Sequence, residues 1–404
     1  MSAQFEADVV IVGGGVGGSS LATVLARSGI ATVVIERERV FRDRVRGEGL
    51  HPWGYRQAIE LGLEPILATA QANPLPIWQS YRDREPLEPT RWDDDPENDL
   101  PELSVSHPRL QEASFAAAEA AGATMLRGWS ARRIERMGNR WDVTLDGANG
   151  ERSRVSGSLL IGADGRDSAV RRWLEIGATT DPTHHRFGGL LIEGCSLDPE
   201  RIHAVGFSNG TAYVMPQGGG RARIYGGGEP DLIGPLASDR SGQRLIDLLG
   251  ENLPDRAMDG SRSAGPIAFF PNGDIVPAQI TGDGWALIGD AAGANDPSVG
   301  QGLSMTYRDV RELSNVLTGG GDQLRELDHY AAERRARHAT AREHARWIAS
   351  ITMESGELAD ERRAGARRSK EIDPTQGGFA FIYTRGPMGL VADDAARRHF
   401  FGET

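Results

Sequence analysis

Apolar residues come first as short unbroken runs and later as alternating ones, and the change of pattern divides the chain. The run DVVIV at residues 8–12 has no polar interruption, as in a strand covered on both faces, and it stops at GGGVGG. Small and apolar residues then recur at helical spacing through residues 18–29, and ATVVIE at 31–36 predicts a second buried strand. A long polar stretch over 37–108 holds short helical pieces around 55–67, and LQEASFAAAEAAGA at 110–123 predicts a helix. Residues 132–165 read as a meander of short strands with Gly and Asn turns, ending on SLLIGADG. From 186 to 270 the pattern alternates, as in TAYVMP and RARIYGG, with few helical signals. This predicts a separate antiparallel sheet inserted into the first unit. The stretch GWALIGDAAGANDPSVGQGLSMTYRDV at 284–310 runs from an apolar strand through a Gly/Pro loop into a helix. Residues 324–351 predict a long helix with charged faces, and residues 355–404 have no clear pattern.

Composition narrows the class. At 404 residues with 39% hydrophobic and 25% charged content, the chain is an ordinary folded protein of two or three domains, or one with an insertion. A net charge of −12 argues against a nucleic-acid-binding face. The acidic segment WDDDPENDLPE at 92–102 is expected to be a solvated loop or linker. Cys195 is the only cysteine, so no internal disulfide or thiolate cluster exists, and its apolar surroundings predict a small buried hydrophobe. No apolar run approaches a membrane span, and the first residues lack a basic leader region, so a cytoplasmic location is expected. No metal site is expected: adjacent His184 and His185 point to opposite faces of a strand, and His338 and His344 sit among arginines as solvated residues.

The first chemical motif is Gly13-x-Gly15-x-x-Gly18, between a strand and a helix. Glycines permit the tight turn and close approach of a pyrophosphate, whose charge the free N–H groups of the helix terminus hold. Glu36 ends the next strand, where a carboxylate can accept hydrogen bonds from a ribose diol and disfavours a 2′-phosphate. The adenosine therefore belongs to FAD or NAD.

The stretch GWALIGDAAGANDPSVGQGLS resembles the second flavin fingerprint of the FAD monooxygenases related to p-hydroxybenzoate hydroxylase (class A), and LLIGADGRDSAVRRWL at 159–174 looks like their Asp-Gly motif. The resemblance implies a Rossmann-like, glutathione-reductase-type α/β domain for FAD with an inserted antiparallel substrate sheet and C-terminal helices. The FAD unit is expected over 1–75, 103–180 and 276–320, the substrate sheet over 76–102 and 181–275, and the helical region over 321–404. By the same resemblance, Gly289 and Asp290 hold the sugar or ribityl hydroxyls. Pro297, Gly300, Gln301, Gly302 and Leu303 run beside the isoalloxazine. Asp164, Gly165, Glu36, Arg37, Arg109 and Ala131 contact the rest of FAD. Asp164 can equally be a helix cap. Ser304 departs from the family's usual residue.

In RDRVRGEGLHPWG, Arg46 matches an arginine near the flavin and is the one tentative catalytic residue, with an ordinary ion pair as the alternative. The GEGLHP that follows is similar to flavin-dependent halogenases and prenyl reductases, leaving Glu48 and His51 open. His51, Tyr213, Met215, Tyr225, Phe269 and Phe270 are the candidate substrate pocket; the same aromatics could equally be the sheet's core. The resemblance implies an FAD monooxygenase: NADH or NADPH reduces the flavin, O2 adds to give a C4a-hydroperoxide, and an aromatic or conjugated small molecule is hydroxylated. Electrons come from a nicotinamide bound transiently or from a separate flavin reductase. The alternatives are a halogenase, a prenyl or polyketide reductase, and a non-catalytic flavin module. The Trp-x-Trp-x-Ile-Pro motif of tryptophan halogenases is absent, and the sole lysine, Lys370, lies far along the chain.

Overall fold

The computed structural model describes residues 4–148, 150–183, 185–320, 323–372 and 380–403. His184, half of the imidazole pair considered above, lies outside them. Two sheets organise the chain. In the first, Thr124–Arg127, Thr32–Glu36, Gln4–Val12, Arg152–Gly162 and Trp285–Leu287 run parallel in that order. The antiparallel pair Trp129–Met137 and Arg140–Gly147 extends it through Arg152–Gly162. Val10, Ile11, Val34, Leu160 and Ile161 are buried on both faces, which explains why these strands read as unbroken apolar runs. The helices Val16–Arg27 and Gly302–Thr318 pack against the sheet through Leu21, Leu25, Val310 and Leu313.

The second sheet has the order Arg262–Pro271, Arg186–Glu193, Arg221–Gly228, Gly210–Pro216, Arg201–Phe207 and Ile77–Arg82. All neighbours are antiparallel except the last pair. Alternation gives it two faces. Met215, Tyr225 and Phe187 face the C-terminal helices and the loop at Val299. Leu190, Val214 and Ile224 face the other way.

That other face corrects the expectation of few helices here. Pro230–Ser238 and Gln243–Asn252 cover it, burying Ile233, Leu236, Leu245, Ile246 and Leu249. RLIDLLGEN is short, and its apolar spacing was hidden among strand-like neighbours. The acidic segment is also corrected: Trp92, Asp95, Asn98 and Glu102 are buried. Asp95 accepts from Arg385 Nε at 2.8 Å and from the Thr384 hydroxyl at 2.6 Å, so part of the segment is a seam to the C-terminal region.

A third correction concerns His338 and His344, which are buried rather than solvated. The long helix Gln323–Thr352 runs beneath the loop that follows Asp290, with the His338 ring beside Gly293. Beyond it lie Glu357–Ile372, Phe381–Thr384 and Asp394–Phe400. Among the described residues, no helix is long and apolar enough to cross a membrane, and no metal-binding cluster forms.

Candidate active site

Three of the motifs meet where adjacent parallel strands end. Gly13 N–H donates to the Ile35 carbonyl at 2.9 Å, Ala163 N–H to Val12 at 2.8 Å, and Ile288 N–H to Gly162 at 3.0 Å. A Cβ on Gly13 (φ +109°) would stand 2.3 Å from the Ala163 carbonyl oxygen, and one on Gly18 would stand 1.9 Å from Gly13 O. Only glycine fits either place. Gly15 and Gly302 have the opposite surroundings: the nearest atom to a Cβ is 3.8 Å away at Gly15, and none lies within 4 Å at Gly302. Each stands at the start of a helix with no side-chain cap and no acidic residue in its first turn. Two bare helix N-termini therefore open onto free space, one suited to a pyrophosphate and the other to an electron-rich ring. This is the form an FAD cradle takes.

The carboxylates agree with that fit. Glu36 is buried, accepting from Gly14 N–H at 2.9 Å and Glu38 N–H at 2.7 Å, one bond on each oxygen. Burial raises its pKa, against the two backbone bonds, so further donors such as ribose hydroxyls would favour the ionised form. Asp290 is half-buried, and its side chain accepts no hydrogen bond among the described residues. Asp164 does cap its helix, accepting from the Ser168 hydroxyl at 2.6 Å and Ala169 N–H at 2.6 Å. Gly165 (φ +80°) beside it faces open space. Arg171 links the two acidic motifs, donating to the carbonyls of Asp290 at 3.2 Å and Ala291 at 2.8 Å, and to that of Arg166.

The other cofactor candidates are spread around this cradle. Arg109 is exposed at the start of His107–Ala120 and donates to Gln71 Oε1 at 2.7 Å. Arg37 is exposed beside Glu38, and Ala131 is half-buried at a bulge. Arg46 is exposed on the loop after Val45, a non-glycine residue at φ +56°. The loop Pro297–Val299 is fixed by Asp296, whose side chain accepts from Ser298 N–H at 2.8 Å and Asn272 Nδ2 at 2.6 Å, and contacts His185 at 3.1 Å. Burial works against the charge on Asp296; His185 and the Ser298 bonds outweigh it and lower its pKa.

Facing this loop is an aromatic surface. Tyr213 pairs in register with Tyr225, their ring centroids 6.0 Å apart, and Phe187 stacks on Tyr225 at 5.5 Å. Trp78 lies 5.6 Å from Tyr213, and the Tyr213 hydroxyl donates to the Ser298 carbonyl at 3.2 Å. Phe269 and Phe270 separate: Phe270 joins this face with Met215, whereas Phe269 packs on the far one. His51 is buried beneath Val299.

Sequence reasoning did not find the strongest polar feature of the junction. Glu48 accepts from Tyr225 OH at 2.7 Å, Gln217 Nε2 at 3.0 Å and Arg223 Nη2 at 2.9 Å, and Arg223 also pairs with Asp43 at 2.7 Å. The side chains of Glu48 and Arg223 are each only 1% exposed. Burial alone would lower the Arg223 pKa; Glu48 outweighs it and keeps the guanidinium charged, while burial and then Glu48 push the Tyr225 phenol well above its usual range. A signal did exist, because in RARIYGG the period of two sets Arg223 on the face of Tyr225. The support behind Gly289 was missed as well. Buried Asp309 accepts from Gly289 N–H at 2.9 Å and from Arg334 Nε at 3.0 Å, and Arg334 donates to the Gly293 carbonyl at 3.0 Å.

The chain is similar to several known proteins. Squalene epoxidase 3 of Arabidopsis thaliana is 27% identical over 317 residues, 77% of this chain and 60% of that protein. The chain thus spans less than two thirds of the plant squalene epoxidases it matches. A menaquinone reductase of Mycobacterium tuberculosis is 30% identical over 346 residues, 78% of each chain. The crystal structure of aklavinone-11 hydroxylase with FAD and aklavinone superposes with a TM-score of 0.73 at 22% identity, over 89% of this chain and 71% of that one. Residues 6–345 match the FAD binding domain family. The chain belongs to that family of flavoproteins, with FAD as its cofactor and the fold of the FAD-dependent monooxygenases.

Proposed function

We propose that this protein is an FAD-dependent monooxygenase that places oxygen on an apolar aromatic or conjugated small molecule, with NADH or NADPH as the electron source. The observation that carries the reading is the aromatic face of Trp78, Phe187, Tyr213, Tyr225 and Phe270, tied to the flavin loop through Tyr213 and Ser298. FAD would occupy the unit built from 1–75, 103–180 and 276–320, and the substrate would meet the sheet of 76–102 and 181–275. When bound, FAD supplies two-electron reduction and activation of O2.

The chain's own residues do the rest. Gly15 and Gly302 leave room at two helix termini, Glu36 and Asp290 offer acceptors to hydroxyls, and the carbonyls fixed by Arg171 hold the motifs at one spacing. The aromatic face orients a flat ring or polyene and excludes water. Burial raises the Tyr213 phenol well above its usual range, with Tyr383, Glu102 and Asp296 adding to it, so its hydroxyl stays a donor rather than a base. Squalene epoxidase and aklavinone-11 hydroxylase are both named for placing oxygen on a small molecule, which agrees with this reading. The cytoplasmic location belongs to this reading as well.

A second reading has one specific observation in its favour. The menaquinone reductase matches at 30% identity, so electrons could pass to the substrate itself rather than to O2. Anaerobic mixing of the FAD-loaded protein with NADH or NADPH, followed by admission of O2 with an apolar aromatic substrate, separates the two. Bleaching of the flavin band, then oxygen uptake matched by oxygenated product, is the expected result. Reoxidation of the flavin by substrate under argon would overturn the monooxygenase reading. No bleaching with either nucleotide would mean that the electrons arrive from a separate flavin reductase.

A further inference from the structure

The flavin loop rests on a buried histidine–carboxylate contact that none of the motifs announces. Pro52–Glu60 begins directly behind His51, and its first residues are stitched to the start of Gly302–Thr318. His51 N–H donates to the Ser304 hydroxyl at 3.3 Å, Trp53 Nε1 to Gln301 Oε1 at 3.0 Å, and Gln301 Nε2 to the Val299 carbonyl at 3.1 Å. The imidazole lies between two oxygens, with Nε2 3.0 Å from the Val299 carbonyl and Nδ1 3.1 Å from Glu102 Oε2. A carbonyl can only accept, so Nε2 carries a hydrogen. The Nδ1 atom and the carboxylate oxygen are close enough for a second hydrogen bond, which one further proton between them would complete. Both side chains are buried, and a Cβ on Gly300 would stand only 2.9 Å from His51 Nε2, so the ring presses directly on the loop.

The other groups around the imidazole bring it no second counter-charge. The Tyr383 ring packs edge-on with its centroid at 4.6 Å, and burial together with the Glu102 carboxylate drives that phenol well above its usual range, leaving it neutral. On the preceding segment, Glu48 is committed to Arg223 and Tyr225. Glu102 is thus the carboxylate that faces the ring.

We infer that His51 is a positioning residue for the flavin: an imidazolium, countered from behind by Glu102, that turns its positive end toward Val299–Gly300 and stabilises negative charge on the reduced ring. It acts through the loop, in the same sense as the helix N-terminus beginning at Gly302. The inference concerns FAD alone and holds whether the electrons go to O2 or to substrate.

The test is a redox titration of the FAD-loaded full-length chain and its His51→Gln and Glu102→Gln variants across the pH range in which histidine titrates. His51→Gln keeps a donor for Val299 but cannot carry charge. It is expected to bind FAD within a few-fold of the parent, with a more negative midpoint potential and with the neutral reduced spectrum persisting to higher pH. Glu102→Gln is expected to shift the pH at which the potential changes slope. Parent-like potentials and spectra at every pH in an FAD-binding variant would overturn the inference. Weaker FAD binding with an unchanged potential would overturn it too, since a purely structural buttress would behave that way. Should both variants fail to hold FAD, nitrogen NMR of histidine-labelled parent protein decides. Protonation of both His51 nitrogens supports the inference, and a neutral ring contradicts it.

Discussion

The cradle at the strand ends and the junction between the sheets are held together by different means. Around Gly13, Asp164 and Asp290 the fit comes from backbone: glycines in contact with carbonyls, strand ends in register, and side chains such as Arg171 and Asp309 that grip main-chain atoms. Around Glu48 and Arg223 it comes from charge buried among aromatic rings, between residues far apart in sequence. A backbone-built site is lost when volume is added to it. A charge-built site is lost when one partner is removed, because the groups left behind stay buried with their pairing incomplete.

The largest expected effect follows from that difference. Glu48→Ala leaves the buried Arg223 guanidinium with Asp43 alone and takes the acceptor from the Tyr225 hydroxyl and the Gln217 amide, and a loss of about 3–5 kcal/mol of stability is expected in chemical denaturation. Replacing Glu48 and Arg223 together by leucine and methionine should recover much of that loss. If the single and double variants are equally destabilised, the junction is not held by this pair. In the cradle, Gly13→Ala forces a Cβ against the Ala163 carbonyl at positive φ, and about 1–3 kcal/mol of strain is expected together with loss of bound FAD. An unchanged flavin absorbance after desalting would contradict the backbone account.

Next comes a pH effect behind the cradle. Burial first, and Arg334 second, depress the His338 pKa to about 3, so the folded protein keeps this ring neutral. The unfolded chain takes up the proton near its ordinary pKa of about 6.5, so this group's contribution to stability falls as pH drops below that value. The slope should be about 1.4 kcal/mol per pH unit until the folded pKa is approached. His338→Gln should flatten the acid limb of a stability–pH curve by that amount, and an unaltered limb would argue against a buried neutral ring. The smallest effect belongs to an exposed pair. Removing Arg132, 3.0 Å from Asp146, should change stability by less than about 1 kcal/mol, and less still in high salt.

Legibility in the sequence followed the same division. DVVIV, ATVVIE and GWALI are unbroken apolar runs because their strands are covered on both faces, and each motif sits at the end of such a strand. Gly13, Gly18 and Asp290 could therefore be located from local pattern alone. The period of two sets Arg223 on the face of Tyr225, but Glu48 and Gln217 reach it only through tertiary pairing, so no spacing along the chain announces its partners. Asp95 and His338 read as solvated for a related reason: polar residues near prolines or arginines look exposed until Arg385 or the Gly293 turn closes over them. The two short helices on the far face of the substrate sheet were obscured by the strands on either side.

The most direct test of the proposed function is isotopic. The FAD-loaded protein, supplied with NADH or NADPH and a large apolar aromatic substrate under 18O2, should yield product carrying one labelled oxygen per turnover. Product that gains two hydrogens and no label, formed equally well without oxygen, would contradict it and make the protein a reductase.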